Sequence, residues 1–399
     1  MISPTEADTA IQQHVTCLPI ESLPLAQCHG AVLRENIYAE RDQPPFDRVA
    51  MDGIAVSSAA FAASAPSLRV VGTQAAGAPQ MGIERPDDCI EVMTGAVLPR
   101  GCDCVVPVER IEIAAGKARL TEAQGVAPDA NVHKRGSDSR QGELLVPVGS
   151  RLRAAEIAVA ASAGMARVRV SSQPAIMVVS TGDELIDPGE PITDYQVRRS
   201  NSYGIGALLR DHGFARIGDD HLRDDAELLR KRLRLHLDTH DTLILSGGVS
   251  MGRFDLVPQV LGELGVREVF HKIAQRPGRP MWFGVGPQGQ SVFGLPGNPV
   301  STLVCLARYV LPALDEAMGL KRSEQERIAL AAAVEYPPAL TGFLPVKLEA
   351  DDWGRTWAVP RPTNGSGDFV ALVGTDGFVE LPPGPNTYAK GFVTRFFRW

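Results

Sequence analysis

Val292-Phe293-Gly294-Leu295-Pro296-Gly297-Asn298-Pro299-Val300-Ser301 is the stretch whose reading decides the architecture. Residues 292–295 have the length and apolar character of a buried strand, and the Pro-Gly-Asn-Pro that follows must turn. Asn298 is a natural N-cap. Pro299 suits the first helical position because it has no N–H to leave unsatisfied, and Ser301 adds a hydroxyl beside the unpaired N–H groups of the first turn. A strand that runs into a helix through so short a turn is a unit of a parallel α/β sheet. Such a helix start also attracts phosphate or another oxyanion, through aimed donors and the positive end of the helix dipole. An ordinary Pro/Gly turn looks the same in isolation, so the surroundings must decide.

On either side the alternation continues. Residues 175–179 and 242–245 read as buried strands, 202–212 as a helix stopped by Gly213, and 226–237 as an amphipathic helix. Residues 266–273 and 281–285 read as further strands, and 299–318 as one long helix. Strands alternating with helices predict α/β architecture over 172–325, a doubly wound and mostly parallel sheet with its ligand loops at the carboxyl ends of the strands.

Farther out the texture changes. Residues 1–43 and 149–171 carry a helical opening (7–15), a second periodic segment (26–33) and a helix (153–163) with a Gly164 stop, and together suit one linker domain. Between them, over 44–148, short β-prone runs (68–71, 89–93, 104–107, 144–146) are separated by Gly, Pro and Asp clusters, which predicts an inserted small β domain. Residues 326–399 return to short strands and Pro/Gly turns, a C-terminal small β domain. At 399 residues and about 150 residues per domain, a multidomain chain is expected.

Composition narrows the function. Hydrophobic residues at 44% and charged residues at 22% supply buried cores and argue against disorder. The net charge of −7 disfavours a general nucleic-acid binder, which needs a basic face, and implies that an anionic substrate would need a cation. No secretory signal and no apolar run of about 20 residues is visible, so a cytoplasmic location is expected. The six cysteines are too scattered for a disulfide framework.

Two polar loops leave the ends of strands. Ser180-Thr181-Gly182-Asp183-Glu184 joins a turn-permitting glycine to two acids. Ser246-Gly247-Gly248-Val249-Ser250-Met251-Gly252 is small enough for backbone donors to approach a ligand, and Asp255 lies beyond it. Loops of this kind can make anion nests while a neighbouring carboxylate holds a hard cation. Taken singly, each part also has a plain structural reading as a turn or a cap. Asp224 and Asp225 precede a helix, so one caps it and the other can face a site. Lys272, Arg276 and Arg279 around Pro277-Gly278 suit an oxyanion, or form a solvated charged loop. His236 and His240 read as a surface pair rather than a zinc site. Walker, nucleophile-elbow and His-Glu-x-x-His signatures are missing from the sequence.

Four segments, taken in order, resemble the molybdopterin molybdenumtransferase family (MoeA, gephyrin E-domain): Pro45-Phe46-Asp47 with Ala50-Met51-Asp52-Gly53, Ser180-Thr181-Gly182-Asp183-Glu184-Leu185, the 246–252 loop and the 294–301 turn. The resemblance spans nearly the whole chain. It implies an elongated homodimer and an enzyme that inserts molybdate into the dithiolene of adenylylated molybdopterin, with Mg2+-assisted release of AMP. Molybdopterin-AMP and molybdate would be the substrates, and a molybdopterin adenylyltransferase and a molybdoenzyme possible contacts, without nucleic acid or membrane.

By motif match, Thr181, Gly182, Asp183, Ser246, Gly247, Gly248, Ser250, Pro296, Gly297, Asn298, Pro299 and Ser301 would cradle the pterin and its phosphate. Glu184, Asp224 and Asp255 would line the α/β side as catalytic acids, with Asp255 and Glu184 the best candidates to hold the metal, and Lys272 and Arg276 would supply positive charge. Asp52, Thr94 and Asp138 would sit on the inserted domain facing the partner's α/β domain, and Ser366 on a small-residue loop of the C-terminal domain. Some positions depart from the family's pattern. Arg276-Pro277-Gly278-Arg279 stands where Lys-Pro-Gly-Lys is usual, Arg48, Val49 and Ile54 surround Ala-Met-Asp-Gly, and an arginine expected near Phe343 is absent, with Pro345 nearby. These bear on molybdate capture and leave open a tungstate-handling paralogue or a non-catalytic carrier or scaffold; a general nucleotide hydrolase is a weaker option.

Overall fold

The decisive stretch forms the strand Ser291–Leu295, buried at every position, and the helix Pro299–Cys305. The computed structural model describes residues 1–399 apart from 62–66, 122–125, 249–255, 323 and 337–338. In the central six-stranded sheet the order is Ile217–Leu222, Ile176–Thr181, Thr242–Ser246, Ser291–Leu295, Trp282–Val285, Arg267–His271. The first four strands are parallel; Trp282–Val285 runs antiparallel to its two neighbours, so Arg267–His271 again points the same way as the first four.

Both faces of this sheet are covered, which is why its strands read as continuous apolar runs rather than alternating ones. Ile176, Val178, Ile244 and Phe293 pack on one side with Ile205, Leu209 and Val304, while Met177, Val179, Leu243, Leu245 and Val292 pack on the other with Leu229, Leu233 and Leu261. The register sets Ser180 opposite Ser246 and Ser246 opposite Leu295, so three strands end side by side at one edge. The chain crosses from the Ile176–Thr181 strand to one neighbour and then back to the other. That reversal of winding opens a crevice at the carboxyl ends.

Outside the sheet, the helix Pro4–Gln12 begins at Ser3, whose hydroxyl accepts the Glu6 N–H while Glu6 returns a bond to the Ser3 N–H. The second periodic segment, residues 26–33, is not a helix. It is a short 3-10 turn (Leu25–Gln27), after which Val32 and Leu33 bridge to Arg151 and Val170, because Gly30 at φ +79° redirects the chain into long-range pairing. The strand Leu144–Val146 pairs with Ile37–Tyr38 and packs its Val146 with Leu33, Ile37 and Leu152, so it belongs to the linker rather than to the inserted β domain. The inserted domain is a six-stranded sheet around Ile54, Val56, Cys89 and Val106. The 299–318 run is helical throughout, but Leu306–Val310 adopts π geometry between Pro299–Cys305 and Leu311–Ala317.

The C-terminal sheet annexes a piece of the α/β domain: Gln275–Arg276 runs parallel to the start of Thr341–Ala350. A buried arginine holds the same seam. Arg308, 4% exposed, donates to both carboxylate oxygens of Asp8 (2.6 and 2.7 Å), sits 3.5 Å from Glu380, and lies over the Tyr309 and Phe397 rings.

His236 is not a surface residue. It is 3% exposed and bonds Asp220 at 2.6 Å, and Arg232 donates to the same carboxylate oxygen at 2.8 and 3.0 Å. Burial pushes the Asp220 carboxyl up, but these partners outweigh it and hold it below the usual carboxylate range. A depressed folded-state value stabilises the fold at pH values above the unfolded one, about 3.9, and that stability is lost as pH falls through the folded value. Asp220→Asn should therefore lower the melting temperature at pH 7 and leave it less sensitive to acid below about pH 4. Parallel wild-type and variant melting curves across pH would contradict this.

Candidate functional site

Two chambers open at the carboxyl edge of the central sheet. The first, about 900 Å³, lies between the α/β and C-terminal domains and is lined by Arg276, Arg279, Ser301, Tyr336, Pro345 and Ser366 among others. The second, about 750 Å³, sits where the winding reverses and is lined by Thr181, Gly182, Glu184, Arg199, Asp224, Ser246, Gly247 and Gly248 among others. They meet at Pro280, Pro296 and Asn298, which line both. The turn quoted first is therefore the wall between them.

That turn is held from two sides, by Asn201 and by Ser366. The Asn201 amide donates to Ser246 Oγ (2.8 Å) and Gly297 O (2.8 Å), with Thr302 Oγ1 at 3.2 Å, so one side chain at the start of Asn201–Asp211 ties together the ends of two strands. Asn298 occupies the N-cap position, yet its side chain does not cap. Its Nδ2 donates to Ser366 Oγ at 2.8 Å, and the Val300 N–H donates to Ser366 O at 3.0 Å. The C-terminal domain thus takes up part of the hydrogen-bonding capacity that the sequence assigns to an anion.

Gly247 and Gly248 stand at φ +92° and +62°, in the left-handed region that L side chains rarely adopt. A Cβ on Gly247 would lie 2.7 Å from Thr181 O, and one on Gly248 would lie 2.6 Å from Thr181 Oγ1. The glycines let the loop press on the strand end. The buried hydroxyls of Ser180 and Thr181, which also line the second chamber, have no hydrogen-bond partner among the described residues.

The acids divide. Glu184 and Asp224 line the second chamber, whereas Asp225 caps the following helix by accepting from Leu228 N at 2.7 Å. Asp183 is exposed and outside both linings. Asp255 and Ser250 lie outside the described residues. Lys272 is at φ +73°, with its N–H on Met281 O and its carbonyl taking the Ile2 N–H, and it lines neither chamber. Of the basic run, Arg276 and Arg279 line the first chamber. Asp52, Thr94 and Asp138 lie on the inserted domain, away from both chambers of their own chain. Bonds from the Thr94 N–H (2.6 Å) and hydroxyl (2.7 Å) hold the Asp52 carboxyl below the usual range, and Asp138 sits 3.3 Å from His133. Among the described residues no group of three His, Cys, Asp or Glu side chains is placed to hold a metal ion.

Three residues escaped the sequence reading. Asn201 and Arg199 line the second chamber and Gln275 the first. Arg199 is 7% exposed and paired at 2.7 Å with both Asp187 and Asp219, so it braces the wall of the chamber. The only signal in sequence was a polar Arg-Arg-Ser-Asn run before a helix.

Family models match three segments: the MoeA N-terminal region (domain I and II) over residues 2–164, a probable molybdopterin-binding domain over 177–316, and the MoeA C-terminal region (domain IV) over 327–394. The chain is 38% identical to a molybdopterin molybdenumtransferase of Synechocystis sp., across all of both chains. It is 34% identical to molybdopterin molybdenumtransferase 2 of Mycobacterium tuberculosis over 76% of each. A solved molybdopterin biosynthesis MoeA protein from Pyrococcus horikosii superposes with a TM-score of 0.80 at 30% identity, covering 100% of this chain and 99% of that one. No helix among the described residues is long and apolar enough to cross a membrane. The chain belongs to the molybdopterin molybdenumtransferase family, the transferases that insert molybdenum during molybdenum cofactor biosynthesis.

Proposed function

We propose that the enzyme takes adenylylated molybdopterin and molybdate as substrates and releases AMP with the help of Mg2+. The observation that carries this reading is the two-chamber cleft. An arginine-bearing chamber suited to a compact oxyanion shares a wall with a chamber that has two carboxylates and a glycine loop, suited to a phosphate and its counter-ion. Arg276, Arg279, Ser301 and Ser366 would hold molybdate. Thr181, Gly182, Ser246, Gly247, Gly248, Gly297 and Pro299 would enclose the pterin phosphate, with Ser180 and Thr181 offering hydroxyls that have no partner among the described residues.

The donor set fits magnesium, which uses one or two carboxylates, keeps several waters and takes the rest of its shell from substrate phosphates. Glu184 and Asp224 would hold it. Asp255, outside the described residues, is a further candidate. When bound, the ion offsets the charge of the phosphates. The protein's own work is to bring two anions together in a fixed orientation, and positioning with electrostatic stabilisation suffices for anhydride cleavage without a covalent nucleophile. Asp52, Thr94 and Asp138 would complete the cleft of the partner in a homodimer.

Purified protein given adenylylated molybdopterin, molybdate and Mg2+ is expected to release AMP, and to stop when the metal is chelated. Glu184→Gln or Asp224→Asn should slow release at least as much as loss of an outer-shell metal partner, about 10–100-fold, and raise the Mg2+ concentration needed for half the maximal rate. AMP formation no faster than without protein, or indifferent to chelation, would overturn the proposal.

A further inference from the structure

The Arg276-Pro277-Gly278-Arg279 loop is fastened through its backbone. Arg276 O accepts from the Tyr336 hydroxyl at 2.8 Å, and Pro277 O from Gln275 Nε2 at 3.2 Å. Gly278 O accepts from the Met281 N–H at 3.2 Å and, more weakly, from the Cys305 thiol at 3.7 Å; Arg279 O accepts from the Ile273 N–H at 2.9 Å. All four carbonyls are occupied while both arginine side chains stay exposed along the first chamber.

Gln275 lies beneath the loop and is completely buried. The Tyr309 hydroxyl donates to its Oε1, which fixes the amide so that Nε2 faces Pro277 O, with Cys305 Sγ at 3.6 Å. Cys305 and Tyr309 are four residues apart on one helical run and so approach from the same face. The fit is close: a Cβ on Gly278 would lie 2.5 Å from Cys305 Sγ and 2.6 Å from Gln275 Nε2.

We infer that Gln275, oriented by Tyr309, is a positioning residue of the oxyanion chamber, holding the loop that aims Arg276 and Arg279. A guanidinium fork discriminates by geometry, so a backbone fixed in advance spares the ordering cost on binding. This inference rests on the proposed placement of molybdate at the two arginines, and the tests separate them.

Gln275→Met keeps the volume but removes the amide and leaves Pro277 O unpaired; Tyr309→Phe is a milder variant that keeps the ring. With molybdate as the probe in titration calorimetry, both should weaken binding, Gln275→Met by about tenfold. The molybdate KM for AMP release should rise in step, with kcat within about twofold. In an Arg276→Ala/Arg279→Ala background, adding Gln275→Met should change molybdate binding no further. If the double arginine variant binds as the wild type does, the placement of molybdate falls. If it loses binding while Gln275→Met and Tyr309→Phe keep it, or if the Gln275 effect persists undiminished without the arginines, the positioning role falls.

Discussion

Gly248→Val is expected to abolish AMP release and to destabilise the protein by about 3 kcal/mol or more, through two separate penalties. The backbone at φ +62° lies in the left-handed region, where a β-branched residue is strongly disfavoured. The new Cβ would also meet Thr181 Oγ1 at 2.6 Å, at the end of a sheet strand, and Val257 Cγ2 at 2.9 Å, at the buried start of the helix Val257–Glu263. The sequence alone suggests that the added side chain would obstruct a ligand approaching the loop. The structure gives a different cause: the obstruction lies behind the loop, against the end of the neighbouring strand. Gly297→Ala is the matched control. Among the described residues its Cβ would meet nothing closer than Gly247 Cα at 3.7 Å, an ordinary contact, so stability should stay within about 0.5 kcal/mol. Thermal melts of the two variants test the contrast, and AMP release by Gly248→Val tests the loss of activity. Equal stability of Gly248→Val and Gly297→Ala would disprove the packing argument.

Arg308→Met should cost about 3–5 kcal/mol, the range for removing one partner of a buried ion pair. The guanidinium is almost wholly enclosed between the N-terminal helix, its own helix and the C-terminal domain. Methionine would fill much of the volume but leave Asp8 without its bidentate counter-charge and, among the described residues, the largely buried Glu380 with only Arg395, 3.8 Å away. Asp8→Asn added to Arg308→Met should recover part of the loss, because it removes an uncompensated carboxylate. Because this arginine pins the domain that also pairs with Gln275–Arg276, the variant should bind molybdate more weakly. Urea unfolding of the single and double variants measures the effect, and a loss below about 1 kcal/mol would mean that the pair is no better than a surface one.

Particular residues show how much could be read in advance. Strand positions in the central sheet were legible because burial on both faces demands unbroken apolar runs, and Pro299 and a cap from the Asp224-Asp225 pair were legible because helix starts have local rules, whereas which aspartate caps was settled by the structure. The expectation that the Asn298 side chain caps its helix fails because a partner distant in the chain, Ser366, takes its amide instead. Nothing near Asn201 or Gln275 in sequence announces that one ties two strand ends and the other fastens the arginine loop.

The amino-acid order by itself determined the local elements, the glycine turns at the strand ends and, through four motifs in series, the family. These depend on backbone geometry and side-chain periodicity, which act over a few residues. Only the tertiary structure decided which polar groups face the cleft and which are consumed in holding it. Hydrogen-bonding capacity is finite, and a carbonyl, amide or carboxylate committed to a partner hundreds of residues away is no longer available to a ligand.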